Sequence, residues 1–328
     1  MAPQVTDFKP AWFLRGPHLQ TIWGRIVRPR RAARLRREIV ETPDGDELVL
    51  DHLDGNPSPR FILLHGLEGS SNSVYMQGLF AAIRRRGFAA TAMNFRSCAL
   101  DARGREMPNR RPRFYHSGET GDFDFVARRL ATTPLVAIGA SLGGNVLLKW
   151  LGENPDQRIV AAAAAFSVPF DLSAGARHIN RLYTARFMRT MKRKVIALLA
   201  RHPEMRGRID LAALLRARNF VEFDNAATAP IHGFASADDY YAKSSSLQFL
   251  PRIKTPTLIL NAEDDPFLPR EALERARAAA SEAVEFRTTP CGGHTGFIAG
   301  TYPWRCEYWG EEMIVEWLVR RGSMDAWR

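Results

Sequence analysis

Short apolar runs rich in β-branched residues alternate with longer stretches of helical periodicity along most of the chain. The apolar runs predict strands over residues 38–42, 48–53, 60–66, 88–95, 134–140, 159–168, 256–262 and 284–290. Apolar positions three and four residues apart predict helices over 74–87, 121–131, 142–153, 270–280 and 307–322. This order is typical of an α/β protein with a mostly parallel central sheet flanked by helices. The first two strands are expected to pair antiparallel at the edge of the sheet.

One long segment interrupts the alternation. Residues 169–250 contain no convincing strand, but apolar residues recur there at helical spacing: Ile179, Leu182, Tyr183, Phe187, Met191, Val195 and Leu198. We therefore expect a helical cap at 169–250, inserted into an α/β core of residues 39–168 and 251–328. Residues 1–38 are expected to form an N-terminal segment packed on that body.

Length and composition suit a globular protein with a well-filled core: 328 residues, 45% of them hydrophobic. The sequence has no uninterrupted apolar window of about eighteen residues, and its start lacks the basic-then-apolar order of a secretory signal. These features predict a cytoplasmic protein. The three cysteines, Cys98, Cys291 and Cys306, are too few and too scattered for a disulfide framework or a zinc site, so we expect reduced thiols.

The net charge of +11 is concentrated in a run at 27–38 and in a broader stretch from Arg177 to Arg208. Neither stretch is interleaved with stacking aromatic residues, and no nucleic-acid motif accompanies them, so no nucleic-acid partner is expected. Solvated basic faces are the favoured interpretation. The alternative is peripheral contact of these basic segments with an anionic membrane, which would place the protein at the inner face of that membrane.

The motif GASLGG, Gly139 to Gly144, directly follows a predicted strand and leads into a predicted helix. In this context the pattern G-x-S-x-G predicts a tight turn that exposes a serine hydroxyl above the sheet. Ser141 is therefore the candidate nucleophile. A glycine-rich turn without a chemical role is the less favoured alternative.

A serine nucleophile needs a basic histidine, and the histidine needs a carboxylate to orient it. His294 lies in the glycine-rich loop after the last predicted strand, and two aspartates, Asp264 and Asp265, follow the strand before it. Since successive side chains of an extended segment point to opposite sides, only one of the two aspartates is expected to reach His294. Pro266 favours an extended backbone at Asp265.

The candidate site also needs two backbone N–H groups that face the oxygen of the attacked carbonyl. The residue after the nucleophile, Leu142, is expected to supply one, and Leu67, in the turn HGLEGSS after the third predicted strand, the other. His65 in that turn is expected to be structural. The eight histidines show no spacing typical of a metal site, and this chemistry requires no cofactor.

Taken together, several motifs resemble the YheT-type esterases of the α/β-hydrolase superfamily, which are related to eukaryotic α/β-hydrolase-domain lipases. The motifs include GPHLQTIW (16–23), HGLEGSSNSVY (65–75), YHSGETGD (115–122), GASLGGNVLLKWLGE (139–153), DDPFLP (264–269) and GGHTGF (292–297). The pattern Asp-x-x-apolar-Pro found in many such hydrolases matches residues 265–269, which favours Asp265 as the acid of the triad. Asp264 is then expected to face away from His294 or to cap the turn. Ser97 departs from the pattern, which has glycine there.

The resemblance implies a Ser141–Asp265–His294 hydrolase of carboxylic esters, with lipid-like or acyl esters favoured. Two alternatives remain: an acyltransferase with an alcohol acceptor in the same site, and a non-catalytic binding protein of the same fold. Tyr115, His116 and Glu119 in YHSGET either line the substrate pocket or serve the start of the following helix. The sequence does not determine the oligomeric state.

Overall fold

An eight-stranded sheet forms the centre of the molecule. The structure is a computed structural model that describes residues 7–28 and 33–323. The strands are β1 Arg36–Glu41, β2 Glu47–Leu53, β3 Asn56–Leu64, β4 Phe88–Asn94, β5 Leu135–Ala140, β6 Val160–Phe166, β7 Thr257–Ala262 and β8 Val284–Thr289, in the order β1-β2-β4-β3-β5-β6-β7-β8. β2 pairs antiparallel with β1 and β4, and all other pairs are parallel. The predicted fold class and the antiparallel edge are confirmed.

Helices cover both faces of the sheet. They are α1 Pro17–Val27, α2 Val74–Arg85, α3 Thr120–Leu130, α4 Leu142–Glu153, α5 Leu172–His178, α6 Arg181–Arg201, α7 Leu211–Arg216, α8 Phe220–Phe223, α9 Ala229–His232, α10 Ala237–Ser244, α11 Arg270–Ala279 and α12 Trp309–Ser323. Successive side chains of a strand point to opposite faces. Ile62 and Leu64 of β3 therefore join one apolar core with α3, α4 and α11, whereas Phe61 and Leu63 join another with α2 and α12.

The sequence patterns located the five core helices but missed α1 and a two-stranded ribbon, β9 Ile298–Tyr302 and β10 Arg305–Tyr308. The buried positions of helix α1 are Gln20 and Gly24, so no apolar residue marks its buried face in the sequence. In β9 a glycine, Gly300, lies at φ 112° and interrupts the alternation that marks a strand.

Residues 169–250 leave the sheet after β6 and return to it at β7. The described residues of this inserted segment form α5 to α10 and shorter helical turns, and they contain no strand. The segment has its own apolar cluster, which includes Met188, Val195, Leu214 and Phe223. One residue differs from the sequence pattern: Leu182, predicted on the apolar face of α6, is 82% exposed.

Some arginines of the N-terminal basic run form ion pairs with carboxylates elsewhere in the chain. Arg28 forms a bidentate pair with Glu311 of α12, and Arg37 pairs with Asp51 of β2. Arg30 and Arg31 lie outside the described residues. Within the described part of the chain, no helix is both long and apolar enough to cross a bilayer.

A buried carboxylate in the inserted segment makes its stability depend on pH. Asp224 is buried beside α8, and burial raises its pKa from the ordinary 3.8 to about 6, although the hydroxyls of Thr228 and Tyr241 donate to it. A raised pKa contributes stability that is present below about pH 4 and is lost as the pH rises through about 6.

We predict that Asp224→Asn becomes more stable relative to wild type as the pH rises, because the amide need not ionise. Between pH 5 and pH 8 the difference in the free energy of unfolding should shift by roughly 1 to 2 kcal/mol in favour of the variant. Urea unfolding at the two pH values measures this shift, with the exposed Asp54→Asn as control. An equal difference at both pH values would contradict the assignment.

Candidate active site

Ser141 occupies the sharp turn between β5 and α4. Its backbone lies at φ 51° and ψ −119°, a conformation that non-glycine residues rarely adopt. Its N–H donates to the carbonyl of Phe166 at 2.9 Å. The glycines around it are sterically required, since a Cβ at Gly139 would lie 2.5 Å from the Gly143 carbonyl oxygen and one at Gly143 would lie 2.6 Å from that of Leu64. The motif thus folds into the turn that its sequence predicts.

His294 lies between Ser141 and Asp265. Its Nε2 is 3.0 Å from the Ser141 Oγ, and its Nδ1 is 2.9 Å and 3.1 Å from the two carboxylate oxygens of Asp265. The histidine and the aspartate are both buried. A carboxylate can only accept from Nδ1–H, so the Nε2 lone pair faces the serine hydroxyl. This geometry allows the imidazole to take the proton of the hydroxyl.

The neighbouring aspartate binds the same loop at a different atom. Asp264 accepts the backbone N–H of Gly293 at 2.9 Å. Burial raises the pKa of Asp264, and the Gly293 N–H opposes that rise. Asp264 is therefore directed to the backbone of the His294 loop, and Asp265 to the His294 ring.

Helix α1 holds the His294 loop from outside the core, a contact for which the single sequence offered no signal. The Thr21 hydroxyl accepts the backbone N–H of His294 at 2.9 Å. The Gln20 side chain forms two hydrogen bonds with the backbone of Ile298, at 2.8 Å and 3.0 Å. The loop and the helix pack so closely that a Cβ at Gly293 would lie 2.7 Å from the Thr21 Oγ1.

An aromatic ring from the turn after β7 packs on the imidazole. Phe267 is nearly parallel to the His294 ring, with the centroids 4.1 Å apart and the planes inclined by 19°. Tyr183 and Phe187 of α6 contact the other sides of Phe267 edge-on, at centroid distances of 4.8 Å and 6.1 Å. The inserted segment therefore reaches the His294 ring indirectly, through Phe267.

The turn after β3 brings its backbone beside the serine. A Cβ at Gly66 would lie 3.0 Å from the Ser141 Cβ. The N–H groups of Gly66 and Glu68 donate to the hydroxyls of Tyr75 and Tyr115, at 2.8 Å and 2.7 Å. The N–H of Leu67, between them, donates to no residue within 7–28 or 33–323, and Leu142, as the first residue of α4, has no intrahelical acceptor. Both predicted N–H groups thus remain available beside Ser141.

His65 has a structural position under that turn. It is fully buried, its Nδ1 donates to the Gly66 carbonyl at 2.8 Å, and its Nε2 accepts the Phe95 N–H at 3.0 Å. Burial lowers its pKa to about 4, so the ring is neutral at neutral pH. Both ring nitrogens are occupied in holding the backbone.

A cavity of about 1310 Å³ opens onto these residues. Ser141, His294, Leu67 and Leu142 line it, as do Tyr115 and His116 of the motif YHSGET. Apolar side chains of the inserted segment line the rest: Leu172, Ile179, Phe187, Met191, Phe220 and Phe223. Glu119 instead precedes α3 at its N-terminal boundary, without a side-chain hydrogen bond to the helix. The cavity has room for a substrate with a long apolar part.

Comparison with known proteins shows that the chain is similar to hydrolases. The protein-family model described as "alpha/beta hydrolase fold" matches residues 59–301. The Escherichia coli (strain K12) protein named "Putative esterase YheT" is 37% identical, over 95% of this chain and 93% of that protein. Phospholipase ABHD3 of Mus musculus is 29% identical, over 95% of this chain and 78% of its own length. Among solved structures, the esterase EaEST from Exiguobacterium antarcticum covers 88% of this chain and 100% of its own with a TM-score of 0.56, at 14% identity, a likeness of fold alone.

We predict that the two neighbouring aspartates differ in their effect on the reactivity of Ser141. Asp265→Asn should lower the rate of labelling by a fluorophosphonate by about a thousandfold or more, because the amide favours the wrong imidazole tautomer. Asp264→Asn should lower it by about tenfold at most, since an amide oxygen can still accept the Gly293 N–H. Labelling rates of the two variants decide this prediction, and a larger loss at Asp264 would reverse the assignment.

Proposed function

The chain belongs to the α/β-hydrolase family, as its motifs indicated, and from this membership and the geometry of the site we propose that it hydrolyses carboxylic esters through an acyl intermediate on Ser141. The observation that carries the proposal is the continuous line of hydrogen bonds from Ser141 through His294 to Asp265. The relatives named esterase and phospholipase support the reaction type.

In the proposed first half-reaction, the Ser141 Oγ attacks the ester carbonyl while its proton passes to the His294 Nε2. The Leu67 and Leu142 N–H groups then donate to the oxyanion of the tetrahedral intermediate. Asp265 holds the imidazole in the productive tautomer and stabilises its positive charge. Collapse of the intermediate transfers that proton to the leaving alcohol and leaves the acyl group on Ser141.

In the second half-reaction water takes the place of the alcohol. His294 removes a proton from the water, whose oxygen attacks the acyl carbon. The tetrahedral intermediate then collapses: His294 returns the proton to the Ser141 Oγ, and the carboxylic acid leaves. The mechanism uses groups of this chain alone. An added alcohol that competes with water would give acyl transfer in the same site, so product analysis separates the two reactions.

The favoured substrate class is a lipid-like ester. The apolar residues that the inserted segment contributes to the cavity suit an acyl chain, and we propose that residues 169–250 act as a cap over that chain. Relatives named phospholipase and monoacylglycerol lipase support this class.

The surface beside the cavity suggests that the protein takes its substrate from a lipid surface. Ile26 of α1 and Leu182 of α6 line the cavity and are nonetheless 72% and 82% exposed. On α6, Arg181, Arg186 and Arg189 are exposed and pair with no carboxylate among the described residues. Exposed apolar side chains among cationic ones suit an anionic lipid surface, so we propose that α1 and α6 contact such a membrane peripherally.

Hydrolysis itself is tested with p-nitrophenyl esters of graded chain length and a fluorophosphonate probe. We expect wild type to be labelled and to hydrolyse medium or long acyl esters faster than acetate, because the cavity can bury a longer chain. Ser141→Ala should lose labelling and at least about a thousandfold in turnover, since no acyl intermediate can form. A wild type that does neither better than Ser141→Ala would point to a non-catalytic binding protein.

Membrane contact is tested by co-sedimentation with vesicles of phosphatidylcholine, with or without phosphatidylglycerol. We expect binding only to the anionic vesicles, and weakening by about thirtyfold in Arg186→Gln/Arg189→Gln, at about 1 kcal/mol for each charge. The matched control is Arg158→Gln/Arg252→Gln. These two exposed arginines precede β6 and β7, at the ends of the strands that lie opposite to the candidate active site. Equal losses in both double variants would contradict a defined contact face.

A further inference from the structure

Helix α6 reaches the candidate active site at two separate places. Near its start, Tyr183 and Phe187 pack on Phe267, which stacks on His294. Eleven residues after Tyr183, or about 16 Å along the helix, Lys194 donates to the Glu68 carboxylate at 2.8 Å. Glu68 directly follows Leu67 in the turn after β3. The same helix therefore reaches the His294 ring through Phe267 and the Leu67 turn through Glu68.

Glu68 has a backbone conformation that needs support. Its φ is 54°, in the left-handed region that non-glycine residues rarely adopt. Its N–H donates to the Tyr115 hydroxyl at 2.7 Å, and that hydroxyl donates to the Glu68 Oε1 at 3.0 Å. Lys194 binds the same Oε1. Backbone and side chain of Glu68 are thus fixed together, which restricts the peptide that precedes it.

The link between Lys194 and Glu68 is largely shielded from solvent. Their side chains are only 10% and 9% exposed, and the Lys194 Nζ also lies 3.4 Å from the Cys98 Sγ. Burial opposes the charge of Lys194, but Cys98, Glu68 and the Glu106 carboxylate, 3.8 Å from the Nζ, outweigh it and raise the pKa of the ammonium above its usual value. A charged lysine at this place has little water to compensate for a lost partner, so the pair constrains both elements.

We propose that Lys194 is a positioning residue, which fixes the Leu67 N–H for the oxyanion by holding Glu68. This inference rests on the proposed ester hydrolysis and assigns a second role to α6: it supports the catalytic loops in addition to covering the acyl chain. An oxyanion donor must lie within a few tenths of an ångström of its place, so a loosened Glu68 lowers the rate of the chemical step. The ground-state ester, which carries no full negative charge, is affected less.

The test measures hydrolysis of a short, water-soluble ester without vesicles. Lys194→Met should lower kcat by roughly tenfold to a hundredfold, less than complete loss of an oxyanion donor, with KM changed by less than about threefold. Lys194→Arg, which keeps the charge, should restore most of the activity. The matched control, Lys192→Met, should behave as wild type, since Lys192 donates to the Leu215 carbonyl within the inserted segment.

A trifluoromethyl ketone provides a readout that a general loss of stability would not move. The Ser141 Oγ adds to its carbonyl carbon, the hydroxyl proton passes to His294, and the carbonyl oxygen becomes an oxyanion beside Leu67 and Leu142. The affinity of folded Lys194→Met for this inhibitor should fall by the same factor as kcat. Glu68→Gln, which removes the partner charge, should show the same pattern, and adding Lys194→Met to it should cost little more.

The outcomes separate this inference from the function on which it rests. A wild type without esterase activity overturns both. An active wild type whose kcat and inhibitor affinity are the same in Lys194→Met and Lys192→Met overturns the positioning role alone. A loss confined to KM, or to thermal stability with unchanged kcat in the folded fraction, also overturns it, because Lys194 would then serve only substrate binding or the fold.

Discussion

The close approach of the β5–α4 turn to the neighbouring strands is the constraint on which the rest of the structure depends. Ser141 donates its N–H to the end of β6, while Gly143 packs against the end of β3 with no space for a side chain. The carboxyl ends of three parallel strands therefore meet around one hydroxyl. The loops that leave these ends, and the ends of β7 and β8, have short paths to Ser141. The sheet thus gathers groups from distant parts of the chain.

Residues with unfavourable backbone conformations concentrate around that point. Glu68, Ser141, Ser167, Thr295 and Phe297 all have positive φ, and each lies in or beside the loops of the site. Such conformations cost of order 1 kcal/mol each and persist only where neighbouring contacts enforce them. The contacts are present: the Ser167 hydroxyl, for example, accepts the Thr295 N–H at 2.8 Å. Ser97, where the family pattern has glycine, is also at φ 62°.

Elements outside the hydrolase core complete the site. Helix α1 holds the backbone of His294 through Thr21, and α6 of the inserted segment contacts both Phe267 and Glu68. The cations of the two basic stretches also differ from one another in their surroundings. Arg28 and Lys194 are partly buried partners of carboxylates, whereas Arg186 and Arg189 are exposed. Net charge alone therefore says little about what any one of these cations does.

The sequence by itself predicted the eight strands of the central sheet, the five core helices and the order of Ser141, Asp265 and His294 along the chain. Strand and helix periodicities come from one-face burial, which repeats locally, and the turn at Ser141 depends on glycines within five positions of one another. It also favoured Asp265 over Asp264, through Pro266 and the family pattern, and the structure has the Asp265 carboxylate at the His294 Nδ1. Only the tertiary structure decided the contacts of Thr21 with His294 and of Lys194 with Glu68. Thr21 and His294 are 273 positions apart in the sequence, and Lys194 and Glu68 are 126 positions apart. Separation along the chain does not determine separation in space, so these contacts exist only once the loops and helices have packed.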